Sequence, residues 1–71
     1  MRPTNTPAAL GAEIRERRRR LGLTQDDLAL SIRANRKVIG QLEGGKETVQ
    51  LDIALRAARA LGLNVGVEPR G

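Results

Sequence analysis

Arg36, Lys37 and Gln41 gather two cations and a carboxamide in one short run of the chain. If that run is helical, Ile39 and Leu42 take the inward side and leave Arg36, Lys37, Gly40 and Gln41 facing out. An arginine fork matches the O6 and N7 edge of guanine, and a glutamine amide matches the N6 and N7 edge of adenine. Such a face could read bases in the major groove of DNA; the alternative is a helix side that only keeps the chain soluble. Mixing cations with an amide on the outward side favours the reading role. Asn35, just ahead of this run, is suited to capping a helix and to touching a phosphate. The run Arg17 to Arg20 invites a nucleic-acid role too, although four successive residues point all around a helix and a solvated face competes with that reading.

Other chemistry is poorly supplied. The chain has no His and no Cys, so it lacks the commonest general base, the usual zinc ligands and any disulfide. Its Asp, Glu, Ser and Thr residues are scattered with no base to activate them. The sequence therefore predicts no catalytic residue, no metal site, no cofactor and no small-molecule substrate: a binding protein, not an enzyme. The formal charge of +5 and a pI near 11.4 call for a polyanionic partner, either nucleic acid or an anionic membrane surface. No apolar run approaches bilayer length and no signal peptide opens the chain, which predicts a cytoplasmic protein that does not enter the membrane.

The elements that must position these residues are helices. Apolar residues make up 39% of the 71 positions, yet Phe, Trp and Tyr are absent, so the core must come from Leu, Ile, Val and Ala. Residues 1–7, rich in Pro, Thr and Asn, read as a disordered arm. A first helix from Ala8 carries Leu10, Ile14 and Leu21 on its apolar side and stops at Gly22. Thr24 caps a short second helix with Asp26 and Asp27 at its positive end and Leu28, Ala29 and Ile32 as its stripe. Asn35 caps the third helix, which ends at Gly44-Gly45. A fourth, from Leu51 to Leu61, is apolar over more than one face, implying that it is mostly buried, and is stopped by Gly62. Then the period changes. Leu63, Val65 and Val67 alternate with Asn64, Gly66 and Glu68, the pattern of a strand over residues 64–68, closed by Pro69 and a tail to residue 71.

Two short helices joined by a tight turn behind a basic helix form the arrangement that presses a recognition helix into the major groove. A plain helical hairpin is the bland alternative. Ala29 marks the predicted closest crossing of the pair, where a larger side chain would not fit.

Several short motifs agree in spacing at once: Leu21, Gly22, Leu23, Thr24 and Gln25; Asp27, Leu28 and Ala29; Ile39 through Lys46; and Ala60 to Leu63. Together, over residues 8–63, they resemble the Xre family of helix-turn-helix regulators, to which the phage repressors and Cro belong. The resemblance implies an all-α, compact four-helix, lambda-repressor-like domain. It implies that Arg36, Lys37 and Gln41 reach base edges, that Gln25 holds a phosphate, and that Arg18 and Glu43 form a structural ion pair; Asn35, Arg33 and Arg17 are further phosphate-contact candidates on the reading of the residues themselves.

The segment from Lys46 to Asp52, the helix after it and the alternating end are similar to HipB-type antitoxins. That likeness implies a short C-terminal β-strand pairing with its twin through Leu63, Val65 and Val67 in a homodimer. A two-fold dimer would set its recognition helices about 34 Å apart, one turn of double-stranded DNA, on a pseudo-palindromic operator. It also implies a HipA-type kinase toxin as partner and repression of a shared toxin-antitoxin operon. A free-standing phage-like regulator and a protein-interaction module without DNA binding are the competing functions.

Two positions depart from the family pattern. Arg33 stands where a glycine is usual in the turn, and a side chain in the left-handed conformation costs on the order of 1 kcal/mol. Gly40 removes one potential base-reading side chain from the third helix and weakens it by up to about 1 kcal/mol relative to alanine.

Overall fold

The computed structural model describes residues 4–70, which form four helices: α1 (Pro7–Arg20), α2 (Gln25–Ser31), α3 (Arg36–Glu43) and α4 (Leu51–Ala60). The first helix begins one residue inside the expected arm. Thr6 accepts the Ala9 amide at 3.0 Å through its hydroxyl, and Pro7 follows it as the first helical residue, where its missing N–H removes no helical bond. Residues 1–3 of that arm lie outside the described residues, as does Gly71 of the tail.

Ile14, Leu28, Ile39, Ala57 and Leu61 meet at the centre, with Ala29, Ile32, Leu42 and Ala54 packed around them. Helix α2 lies against α3 and α4, and α1 lies against α3. Ala29 is buried, as its predicted place at the helix crossing requires. A deeper approach occurs at Gly11 in α1, where a Cβ atom would stand 2.2 Å from the Leu42 carbonyl oxygen. Only a hydrogen there lets α1 settle onto the end of α3.

All four helices end alike. The amides of Leu23, Ala34, Lys46 and Leu63 reach back to the carbonyls of Arg18, Ala29, Gln41 and Ala58, at 2.9 to 3.1 Å. This closure needs a left-handed residue just before the donor. Three helices supply Gly22, Gly45 and Gly62, with φ of 72°, 80° and 73°; α2 supplies Arg33, with φ of 57°. The turn therefore keeps the geometry of the other helix ends with a side chain in the strained position.

Two apolar expectations need correction. Leu21 caps α1 with its side chain exposed, outside the buried stripe. Helix α4 buries Ala54, Ala57 and Ala58, while Leu51 and Leu55 stay exposed, so its apolar breadth exceeds what the core covers. No strand forms among the described residues. Residues 64–68 have no regular structure, because one chain offers them no neighbouring strand to bond with. Among the described residues no helix is long and apolar enough to cross a membrane.

Candidate nucleic-acid interface

The first turn of α3 is fixed by Asn35, whose side-chain oxygen accepts the Val38 amide at 2.9 Å. With Ile39 and Leu42 committed to the core, Arg36 and Lys37 emerge exposed from that turn, and Gln41 is half-buried one turn on. Asn35 has spent its oxygen on the cap; its amide nitrogen is the donor left for an anion.

The start of α2 is closed reciprocally. Thr24 accepts the Asp27 amide at 3.0 Å through its hydroxyl, and the Asp27 carboxylate accepts the Thr24 amide at 2.8 Å. The backbone bond from Thr24, helped by its hydroxyl, holds the Asp27 carboxyl below the usual carboxylate range. This capping box delivers Gln25 as the first residue of α2, beside α3.

Gln25 does not stand free. Its Nε2 donates to Glu43 Oε1 at 3.3 Å. Glu43 is gripped in turn by Arg18, with Nε to Oε2 at 2.6 Å and Nη2 to Oε1 at 2.9 Å, and the remaining Arg18 nitrogen donates to the Leu23 carbonyl at 2.8 Å. Both ion-pair residues are buried, at 7% and 8% exposure, and among the described residues no buried polar side-chain atom lacks a partner. Burial alone would push the Glu43 carboxyl up; the bonds from Arg18 and Gln25 outweigh it and bring the group below its ordinary range. Arg18 is held above its own, first by its bond to Glu43.

Gln25, Arg36, Lys37 and Gly40 thereby line one open groove of about 330 Å³. Gly40 is its low floor: a Cβ there would lie 4.0 Å from both polar atoms of the Gln25 carboxamide. Two cations and an amide line this groove with no carboxylate among them, so it can hold an anion while presenting donors and acceptors to a flat polar edge.

Arg33 and Arg17 do not line that groove. Arg33 lies at the far end of α2, in a concavity with Arg56 and Arg59. Arg17 directs its Nε to the Leu61 carbonyl at 3.0 Å, tying α1 to the end of α4. Of the expected dimer residues, Leu63 is half-buried against the core of its own chain, while Val65 and Val67 are exposed.

Sequence reasoning missed the link from Gln25 to Glu43, which pairs residues far apart in the chain. It also missed the bonds of Arg56, read with Arg59 as the solvated edge of α4 or a contact for an acidic partner surface: Arg56 donates to the Ile32 carbonyl at the end of α2 as well as to Asp52 at 3.0 Å. The spacing of Asp52 and Arg56 on one helix face was a readable sign of the second bond; nothing local signals the first.

A capped recognition helix crossed by a second short helix, with cations at its leading end, defines a helix-turn-helix protein. The chain belongs to the family described as Helix-turn-helix domain, which matches residues 9–69. It is 49% identical over 49 residues to an uncharacterized HTH-type transcriptional regulator of Methanothermobacter thermautotrophicus, covering 69% of this chain and 71% of that one. It is 36% identical over 62 residues to the uncharacterized HTH-type transcriptional regulator y4mF of Sinorhizobium fredii, covering 87% and 82%. The fold also matches HipB in a complex with an O4 20mer, with a TM-score of 0.88, and the HipA-HipB-O2-O3 complex, with a TM-score of 0.89. Each match is 20% identical and covers all of both chains.

Proposed function

We propose that this chain is a sequence-specific DNA-binding transcriptional repressor, and the antitoxin of a type II toxin-antitoxin pair that represses its own operon from the cytoplasm. The observation that carries the reading is the groove at the head of α3, where Arg36, Lys37, Gln25 and Gly40 meet with no carboxylate among them. Arg36, Lys37 and Gln41 are assigned to base edges, and Gln25 and Asn35 to phosphates. The relatives named as transcriptional regulators support the DNA-binding part. The antitoxin part draws support from the HipB fold and from the alternating end of the chain, whose exposed Val65 and Val67 could pair with a twin strand across a homodimer. A HipA-type kinase is the corresponding partner.

The test is fluorescence anisotropy on the DNA upstream of the gene and on scrambled DNA, each at two salt concentrations. Tight, selective binding to the upstream DNA with a steep salt dependence supports the repressor. Equal, weak binding that vanishes with salt overturns it, because +5 of charge alone produces that behaviour. Deleting residues 64–71 should turn a dimer into a monomer on a sizing column, and an unchanged dimer rejects the strand pairing.

A further inference from the structure

The second basic concavity of the molecule is not accounted for by the recognition groove. It holds about 320 Å³ between the end of α2 and the last turns of α4, and is lined by Ser31, Ile32, Arg33, Arg56, Arg59 and Ala60. It shares no lining residue with the groove at the head of α3. Gln25 of that groove and Ser31 of this concavity stand at opposite ends of α2, about 9 Å apart along the helix at a rise of about 1.5 Å per residue, and Arg33 stands three residues before Arg36.

We propose that this concavity docks an acidic segment of a protein partner, on a surface distinct from the DNA-reading groove. Three arginines converge there and no carboxylate lines the concavity. Arg56 is already oriented, one nitrogen on Asp52 and another on the Ile32 carbonyl, so its guanidinium is a fixed edge and loses little freedom on binding. Arg33 and Arg59 are bonded to no carboxylate among the described residues, which leaves both forks free for a carboxylate ligand.

Arg33 adds a second line of argument. The other three helices end on glycine at the matching position, and α2 keeps an arginine there against its backbone preference. A side chain at a strained position is a sign of use, and this one lines the concavity.

The apolar part of the wall favours a carboxylate-bearing peptide over phosphate. Ile32 and Ala60 form part of the wall between the arginines. A phosphodiester backbone offers nothing to these apolar side chains. A peptide that mixes acidic with apolar side chains satisfies both the arginines and the apolar part of the wall. This inference does not rest on the DNA reading and survives its failure.

The experiment uses the full chain and three labelled probes: a short peptide of glutamates interrupted by leucines, the same peptide with every Glu replaced by Gln, and a DNA duplex. Wild type should bind the Glu peptide saturably and ignore the Gln peptide. Arg59→Glu should weaken the Glu peptide roughly tenfold, the loss of a charge-assisted contact plus a new repulsion, and change DNA affinity by less than about twofold. Arg33→Gly, which the turn accepts readily, should weaken the peptide as well. Arg19→Glu makes the same charge change on α1 and should not. Equal loss in Arg19→Glu would show that only net charge attracts the peptide and would overturn the proposal, as would unchanged peptide binding in Arg33→Gly and Arg59→Glu. Weakened DNA binding in Arg59→Glu with peptide binding intact would assign these arginines to phosphates instead.

Discussion

Arg18 and Glu43 meet through two hydrogen bonds, at 2.6 and 2.9 Å, and Glu43 spends one of the same oxygens on Gln25 at 3.3 Å. One carboxylate thus ties α1 to the end of α3 and steadies the first residue of α2. Stability and the shape of the groove share a single buried group.

Truncating either partner leaves the other charge buried without its counter-ion. Arg18→Ala or Glu43→Ala should therefore cost about 3 kcal/mol in denaturant unfolding, whereas the apolar pair Arg18→Met with Glu43→Leu should cost far less. A double variant as unstable as either single one would mean that packing volume, not the stranded charge, sets the cost.

The same carboxylate sets an acid limit. The Glu43 pKa lies below its unfolded value, so between the two the unfolded chain binds the proton and the folded chain does not, and stability rises with pH in that interval. The contribution is complete above the usual carboxylate range and is lost as pH falls through the depressed value. Asp27 behaves in the same direction. Thermal midpoints should be level near neutrality and fall steadily in acid. Glu43→Gln, already weakened, should show a shallower acid decline; an equal slope would remove Glu43 as its source.

Arg33→Gly should stabilise the chain by about 1 kcal/mol, because the left-handed turn then carries no Cβ penalty. For a domain of this size that is a rise of roughly 4–8 °C in Tm. A fall would show that the arginine side chain contributes more through its contacts than its backbone costs.

The Arg33 turn also shows how far the sequence could be read. Helix ends were legible because capping is local: Thr24, Asn35 and the glycines act on amides and carbonyls within a few residues of themselves. The groove at the head of α3 was legible because Ile39 and Leu42 fix which side faces out. What escaped depends on residues far apart in sequence. Gln25 reaching Glu43, Arg17 turning to Leu61 and Arg56 closing the end of α2 are set by how helices cross, which periodicity does not encode. The strand pattern of residues 64–68 is a true alternation, but a strand is a property of pairs, and no partner strand is present among the described residues.

Gly11 is such a crossing made visible by one substitution. Its missing Cβ would stand 2.2 Å from the Leu42 carbonyl oxygen and 2.9 Å from that of Glu43, both backbone atoms that cannot rotate away. Although alanine is the better helix former, Gly11→Ala should destabilise by about 3 kcal/mol or more and separate α1 from α3. Since that crossing also seats Arg18 against Glu43, the variant should lose the acid-sensitive part of its stability too.

Gly40→Ala reverses that logic. A Cβ at this position meets nothing closer than the Gln25 carboxamide at 4.0 Å, an ordinary contact, and α3 is otherwise regular there. The substitution should stabilise the helix by up to about 1 kcal/mol, visible as a higher thermal midpoint. It also raises a methyl group from the floor of the groove between Gln25 and the α3 cations. If bases approach there, operator affinity should fall while scrambled DNA binds as before, so Gly40→Ala would be more stable and less selective at once. Arg36→Ala should lose selectivity without gaining stability, and Gln25→Ala should weaken all duplexes alike. A more stable Gly40→Ala protein that still binds its operator at full strength would show that the bases do not approach over Gly40, and would move the reading face toward Gln41 and the far end of α3.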